Sequence, residues 1–119
     1  MIYIHFIVNP ISGRGKHNIG KTELEKHFPK EIYKIEVEYS NCKKHAIILT
    51  QNAFTNSPDS IVACGGDGTI NEVASCLINT KIKLGIIPLG SGNGLASNLN
   101  IPKSLDKATE IIRQANTIY

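Results

Sequence analysis

The stretch Ile61-Val-Ala-Cys64-Gly65-Gly66-Asp67-Gly68-Thr69-Ile-Asn71-Glu72 carries the residue types that phosphoryl chemistry needs. A short apolar run of the kind found in a buried strand leads into Gly-Gly-Asp-Gly-Thr, and a helix is expected to leave it. Glycines at 65, 66 and 68 let the backbone turn sharply and approach a ligand with no Cβ in the way. The helix that follows offers free N–H groups and the positive end of its dipole, which suits a phosphate. Asp67 is out of place in a simple anion site. A carboxylate beside phosphates ordinarily holds a metal ion or takes a proton from an attacking hydroxyl. Asp67 is therefore the candidate catalytic residue, either as general base or as part of a magnesium network. A purely structural account competes with this one, because Thr69 and Glu72 have the Thr-x-x-Glu spacing of a helix capping box.

The chain uses the same device twice more. Ile2–Val8 has the apolar, β-branched character of a central parallel strand and runs into Asn9-Pro10-Ile11-Ser12-Gly13-Arg14-Gly15-Lys16. Leu84–Pro88 runs into Leu89-Gly90-Ser91-Gly92-Asn93-Gly94-Leu95-Ala96. Neither has the Gly-x-x-x-x-Gly-Lys-Ser/Thr spacing of a P-loop. The 90–95 segment lacks the third glycine and the following acid of a dinucleotide fingerprint, which argues against a Rossmann dinucleotide site. Three such loops, each after a parallel strand, gather on one edge of the sheet, where open α/β folds bind ligands. That convergence outweighs the capping account and points to a nucleotide or phosphate site.

These three motifs, in this order, resemble the catalytic domain shared by diacylglycerol kinases, sphingosine and ceramide kinases and bacterial lipid kinases. The matching residues are Asn9-Pro10-x-Ser12-Gly13, Gly65-Gly66-Asp67-Gly68-Thr69-x-Asn71-Glu72 and Pro88–Ala96. Ser40, His45-Ala46 and Asn98–Pro102 are weaker matches. Gly-Gly-Asp-Gly alone is shared with NAD kinases and phosphofructokinases; the first and third loops single out the lipid kinases. The resemblance implies ATP with Mg2+ as cofactors and a lipid hydroxyl as phosphoryl acceptor, either diacylglycerol or a sphingoid-type lipid. It places Asn9, Pro10, Ser12 and Gly13 beside the nucleotide, with Gly65, Gly66, Gly68 and Thr69 at its phosphates. Ser40 and Ser91 would supply hydroxyls, Gly90 and Asn93 the third loop, and Asn71 and Glu72 the first turn of the helix. Arg14 and Lys16 would neutralise phosphate or be solvated surface charges. Gly94 stands where bacterial diacylglycerol kinases commonly carry Asp, which is closer to the sphingosine and ceramide kinase pattern.

In that family a second, mostly β domain follows the nucleotide domain, and the lipid sits between them. Residues 1–119 correspond to the first domain, so the isolated chain is expected to bind Mg-ATP weakly and to be inactive without the second. Two other readings remain: a nucleotide-binding or interaction module without kinase activity, and a small-molecule kinase of the NAD kinase type.

The elements that position these residues follow from the patterning. Hydrophobic residues make up 41% of the 119 residues, enough for one domain with a real core. Strands are expected near 2–8, 32–39, 60–64 and 84–88, and helices near 18–28, 42–54, 70–79, 93–99 and 104–115. Alternation of strands and helices implies a three-layer, Rossmann-like α/β domain with a parallel sheet between helices, and the resemblance implies that it is of the NAD kinase/diacylglycerol kinase type. Ile32–Tyr39 alternates apolar and charged residues, as an edge strand does, which gives the order 2-1-3-4. Ser104 would cap the last helix, whose apolar stripe is Leu105, Ala108, Ile112 and Ala115. A net charge of +3, from scattered lysines, argues against a nucleic-acid partner and tolerates an anionic membrane surface. Cys42, Cys64 and Cys76 are odd in number and lack metal-ligand spacing, as expected of reduced cytoplasmic thiols, with Cys64 and Cys76 in the core. The four histidines share no ligand spacing, and His5 is expected to be a plain strand residue. No apolar run reaches membrane-spanning length, so any membrane contact would be peripheral.

Overall fold

A computed structural model describes residues 1–9, 20–42, 44–89 and 105–114. Its strands are β1 (Ile2–Val8), β2 (Tyr33–Tyr39), β3 (Ser60–Gly65) and β4 (Lys83–Pro88), and its helices are α1 (Lys21–Glu25), α2 (His45–Ala53), α3 (Asp67–Leu77) and α4 (Leu105–Arg113). The strands form one sheet in the order β2-β1-β3-β4, with every pair parallel, as the alternation of elements predicts. No helix among the described residues is long and apolar enough to cross a membrane.

Two apolar layers sandwich this sheet, because successive side chains of a strand point to opposite faces. Ile4, Phe6 and Val8 meet Leu24, Phe28 and Ala108 on the face covered by α1 and α4. Ile7, Ile61 and Ala63 meet Ala46 and Leu49 of α2 and Ile70, Val73 and Leu77 of α3 on the other. The three α3 residues recur at the helical spacing that puts one stripe against a sheet. On the first face Phe28 stands edge-on to Phe6 and to Tyr33, with centroid separations of 5.5 and 5.2 Å. Gly85 of β4 lies under α4. A Cβ there would fall 2.9 Å from Val62 Cγ2 and 3.2 Å from Ile112 Cγ1, so the helix can sit this low only because the position is glycine.

The edge strand β2 is bound to β1 by more than its ladder. His5 is buried, its Nε2 is 2.6 Å from Glu38 Oε1, and its Nδ1 is 3.3 Å from the Tyr3 hydroxyl. It is thus a strand residue with partners on both sides.

Several boundaries differ from the sequence reading. The third helix begins at Asp67, three residues before the expected start, because extended Gly66 (φ −87°, ψ −172°) already serves as N-cap. The second begins at His45 and not at 42, since Lys44 is left-handed (φ 68°) and cannot belong to a right-handed helix. It ends at Ala53 in a single 3-10 turn over Phe54–Asn56. The first helix stops at Glu25, shortly before Pro29, which disfavours the helical region for the residue ahead of it. Cys64 is fully buried, but Cys76 is only half-buried, since it lies on the side of α3 turned toward α2 and not on the stripe facing the sheet. The expected helix at 93–99, the Ser104 cap and Ala115 lie outside the described residues.

Candidate active site

Three backbone hydrogen bonds carry the sheet one residue beyond its strands and bring all four exits to one edge. Ser40 N–H donates to Val8 O (2.8 Å), Asn9 N–H to Cys64 O (2.8 Å) and Leu89 N–H to Gly65 O (3.0 Å). The chain leaves β1 toward β2 on one side and leaves β3 toward β4 on the other. The crevice between β1 and β3 is therefore the switch point at which open α/β sheets take ligands. A cleft of about 360 Å³ opens there.

Its base is a long-range contact. Asn9, directly after β1, donates from Nδ2 to Thr69 Oγ1 at 3.2 Å, tying the start of the first loop to the first turn of α3. Thr69 is buried as the third residue of that helix. The capping box is thereby overturned: the N-cap is Gly66, Thr69 meets Asn9, and Glu72 lies in the second turn and not the first. Glu72 Oε2 instead accepts the backbone N–H of Lys44 at 3.2 Å. Along with Gly68 and Thr69, Glu72 forms the α3 side of the cleft, whereas Asn71 is exposed and does not line it.

The opposite wall is the segment after β2. Ser40 is buried and donates from Oγ to Val8 O at 3.5 Å, and Asn41 and Cys42 follow it into the cleft. Asn41 and Cys42 escape a motif search, but parallel topology alone sends the residues after every strand to this edge. Asn41 N–H donates to His45 Nδ1 at 3.0 Å, and His45 N–H closes the turn on Cys42 O at 3.1 Å.

Asp67 is the first residue of α3, half-buried, with the helix dipole behind it. The N–H groups of Asp67, Gly68 and Thr69 belong to the first turn, which no carbonyl of the helix can reach. Gly66 does not need glycine for its backbone, since its extended angles suit any residue. Gly68 does not need it for packing either, because a Cβ built there meets nothing within 4 Å. Its bare backbone faces the cleft. Burial pushes the Cys64 thiol far up, which leaves it a core group rather than a thiolate. Among the described residues no group of three or more His, Cys, Asp or Glu could hold a metal ion.

Of the residues singled out in the sequence, Asn9, Ser40, Gly68, Thr69 and Glu72 meet in this cleft, with Gly65, Gly66 and Asp67 at the turn beside it. Pro10, Ser12, Gly13, Arg14, Lys16, Gly90, Ser91, Asn93 and Gly94 lie outside the described residues.

A parallel sheet with a cleft at its switch point defines an open α/β domain of the kind that takes ligands at that edge, and comparison with known proteins narrows the class. The chain belongs to the diacylglycerol kinase catalytic domain family, whose model matches residues 3–118. It is 32% identical to the diacylglycerol kinase of Bacillus subtilis (strain 168) over 114 residues, covering 94% of this chain and 36% of that protein. It is 33% identical to the probable lipid kinase YegS of Escherichia coli O127:H6 over 112 residues, covering 91% of this chain and 38% of that one. Its fold superimposes on the crystal structure of a diacylglycerol kinase from Bacillus anthracis str. Sterne with a TM-score of 0.75 at 27% identity, covering 95% of this chain and 42% of that one. The chain thus spans roughly a third of the length of the curated relatives it matches (28%, 38% and 36%).

Proposed function

We propose that this chain forms the nucleotide half of an ATP-dependent lipid kinase that transfers the γ-phosphoryl group to a lipid hydroxyl. The observation that carries the reading is the opening at Gly68: glycine is needed there by neither the backbone nor the core, and the Cβ it lacks would project into open space at a helix N-terminus. A phosphate group fits such a place, since first-turn N–H groups reach it and no side chain intervenes. Asp67 stands next to it. A single carboxylate suits Mg2+, which usually takes one or two protein carboxylates and completes its shell with phosphate oxygens and water. When bound, that ion would neutralise charge on the phosphates. In this reading the N–H groups of Gly68 and Thr69 hold the polyphosphate, while Asn9 and Ser40 fix the floor beneath it. Asp67 holds the ion or takes the acceptor's proton. Diacylglycerol is the acceptor that the family and its named relatives favour, and a sphingoid-type lipid is the alternative that Gly94 in the third motif suggests.

The test uses the longest product of the gene, with Mg2+ and γ-labelled ATP. Diacylglycerol or sphingosine in mixed micelles, and NAD, are offered as acceptors. Label is expected in a lipid and not in NAD, and Asp67→Asn should lower turnover by at least ~10²-fold while leaving Mg-ATP binding largely intact. Residues 1–119 alone should bind Mg-ATP weakly with negligible transfer, because an acceptor that is not positioned forfeits much of the rate. Transfer to NAD alone, or full turnover in Asp67→Asn, would refute the reading.

A further inference from the structure

The wall made by residues 40–42 is held in place by two side chains from different elements. Lys44 sits at φ 68°, a left-handed conformation that residues other than glycine seldom adopt without outside support. That support comes from Glu72, whose Oε2 accepts the Lys44 N–H across 28 residues of sequence. One turn earlier, His45 Nδ1 accepts the Asn41 N–H, so the turn is clamped at both ends. Both bonds have a backbone donor and a side-chain acceptor, and they hold Asn41 after β2 and Lys44 ahead of α2.

We propose that Glu72 and His45 are positioning residues of the cleft. They act through Asn41 and Lys44, whose backbone N–H groups they hold, and not by touching the nucleotide. The proposal rests on the nucleotide-binding reading and gives Glu72 a role other than the direct contact its motif implies. It also makes a chemical distinction. A carboxylate that meets magnesium or a phosphate-bound cation is needed for its charge, whereas one that accepts a backbone N–H is needed only for its lone pair. Glu72→Gln keeps an acceptor oxygen at the same reach and removes the charge. His45→Asn places Oδ1 where Nδ1 stood, since both atoms are bonded to Cγ.

Mg-ATP affinity of the chain is measured by calorimetry for these two variants and for Glu72→Ala and His45→Ala, with melting curves to confirm folding. Each alanine variant should bind up to about tenfold more weakly, the upper end for one lost hydrogen bond. The conservative variants should stay within about threefold of wild type. In the longest product the alanine variants should raise KM for ATP and leave kcat nearly unchanged. Glu72→Gln falling as far as Glu72→Ala would show that the charge meets the ligand and would overturn the proposal, as would unchanged affinity in both alanine variants. If wild type binds no Mg-ATP, the nucleotide reading fails separately. Amide hydrogen exchange at Asn41 and Lys44 then decides the clamp: protection lost only in the alanine variants supports it, and equal exchange in all forms overturns it.

Discussion

Gly68→Ala should make the protein more stable and worse at binding nucleotide, two effects of opposite sign from one methyl group. The stabilising part comes from the backbone. Alanine in a helix is favoured over glycine by about 0.5–1 kcal/mol, because glycine loses more conformational freedom on folding. Gly68 is the second residue of α3, and the added Cβ would meet no atom within 4 Å, so no clash offsets the gain. Taking the lower figure for a first-turn position, melting should rise by about 2 °C in a chain of this size. The opposing part comes from the ligand. The same methyl occupies space beside the first-turn N–H groups, and crowding a fitted contact by one carbon costs about 1–3 kcal/mol. Mg-ATP affinity should therefore fall about 5- to 150-fold. Thermal melting and calorimetric titration on the same sample read both numbers. A lower melting temperature would mean the fold needs this glycine after all. Unchanged affinity at a raised melting temperature would mean that phosphate does not approach Gly68, and the site would have to be redrawn.

Gly85→Ala should act in the opposite way, losing about 1–3 kcal/mol in urea unfolding, because its Cβ would press on the buried Val62 and on Ile112 of α4; no loss would show that α4 does not rest on β4 as described. Cys42 is exposed in the cleft and should react readily with a thiol reagent, more slowly when Mg-ATP is present, and an equal rate with and without the nucleotide would place the ligand elsewhere. Cys64 is buried with its thiol pushed up, so it should label only on unfolding even at pH 8–9, and labelling in the native protein would contradict its place in the core.

The sheet was legible because its signals are local and redundant. Ile2–Val8 and Ile61–Cys64 are too short and too β-branched to be helices, and the charges at Lys34, Glu36 and Glu38 put β2 at the edge, where the structure has it. What escaped the sequence was pairing between distant residues. Thr69 and Glu72 have capping-box spacing, yet each bonds a residue far away in sequence, Asn9 and Lys44, and spacing along one helix cannot report such partners. The left-handed angle at Lys44 was equally hidden, since lysine carries no turn preference of its own. The wall residues Asn41 and Cys42 belong to no motif; topology alone delivers them to the cleft.

The contact between Asn9 and Thr69 also bears on how the protein folds. No turn or hairpin contains both residues. They meet only after β1 has found β3, with β2 and its crossover inserted on the far side, and every strand pairing in the sheet is of this non-local kind. Such topologies meet the cost of loop closure before any contact rewards it, so folding is slow and cooperative. The cleft therefore has no rudimentary form in a partly folded chain. Nucleotide can add its binding energy only to the completed sheet, and any substitution that lowers the folded fraction lowers the apparent affinity by the same factor.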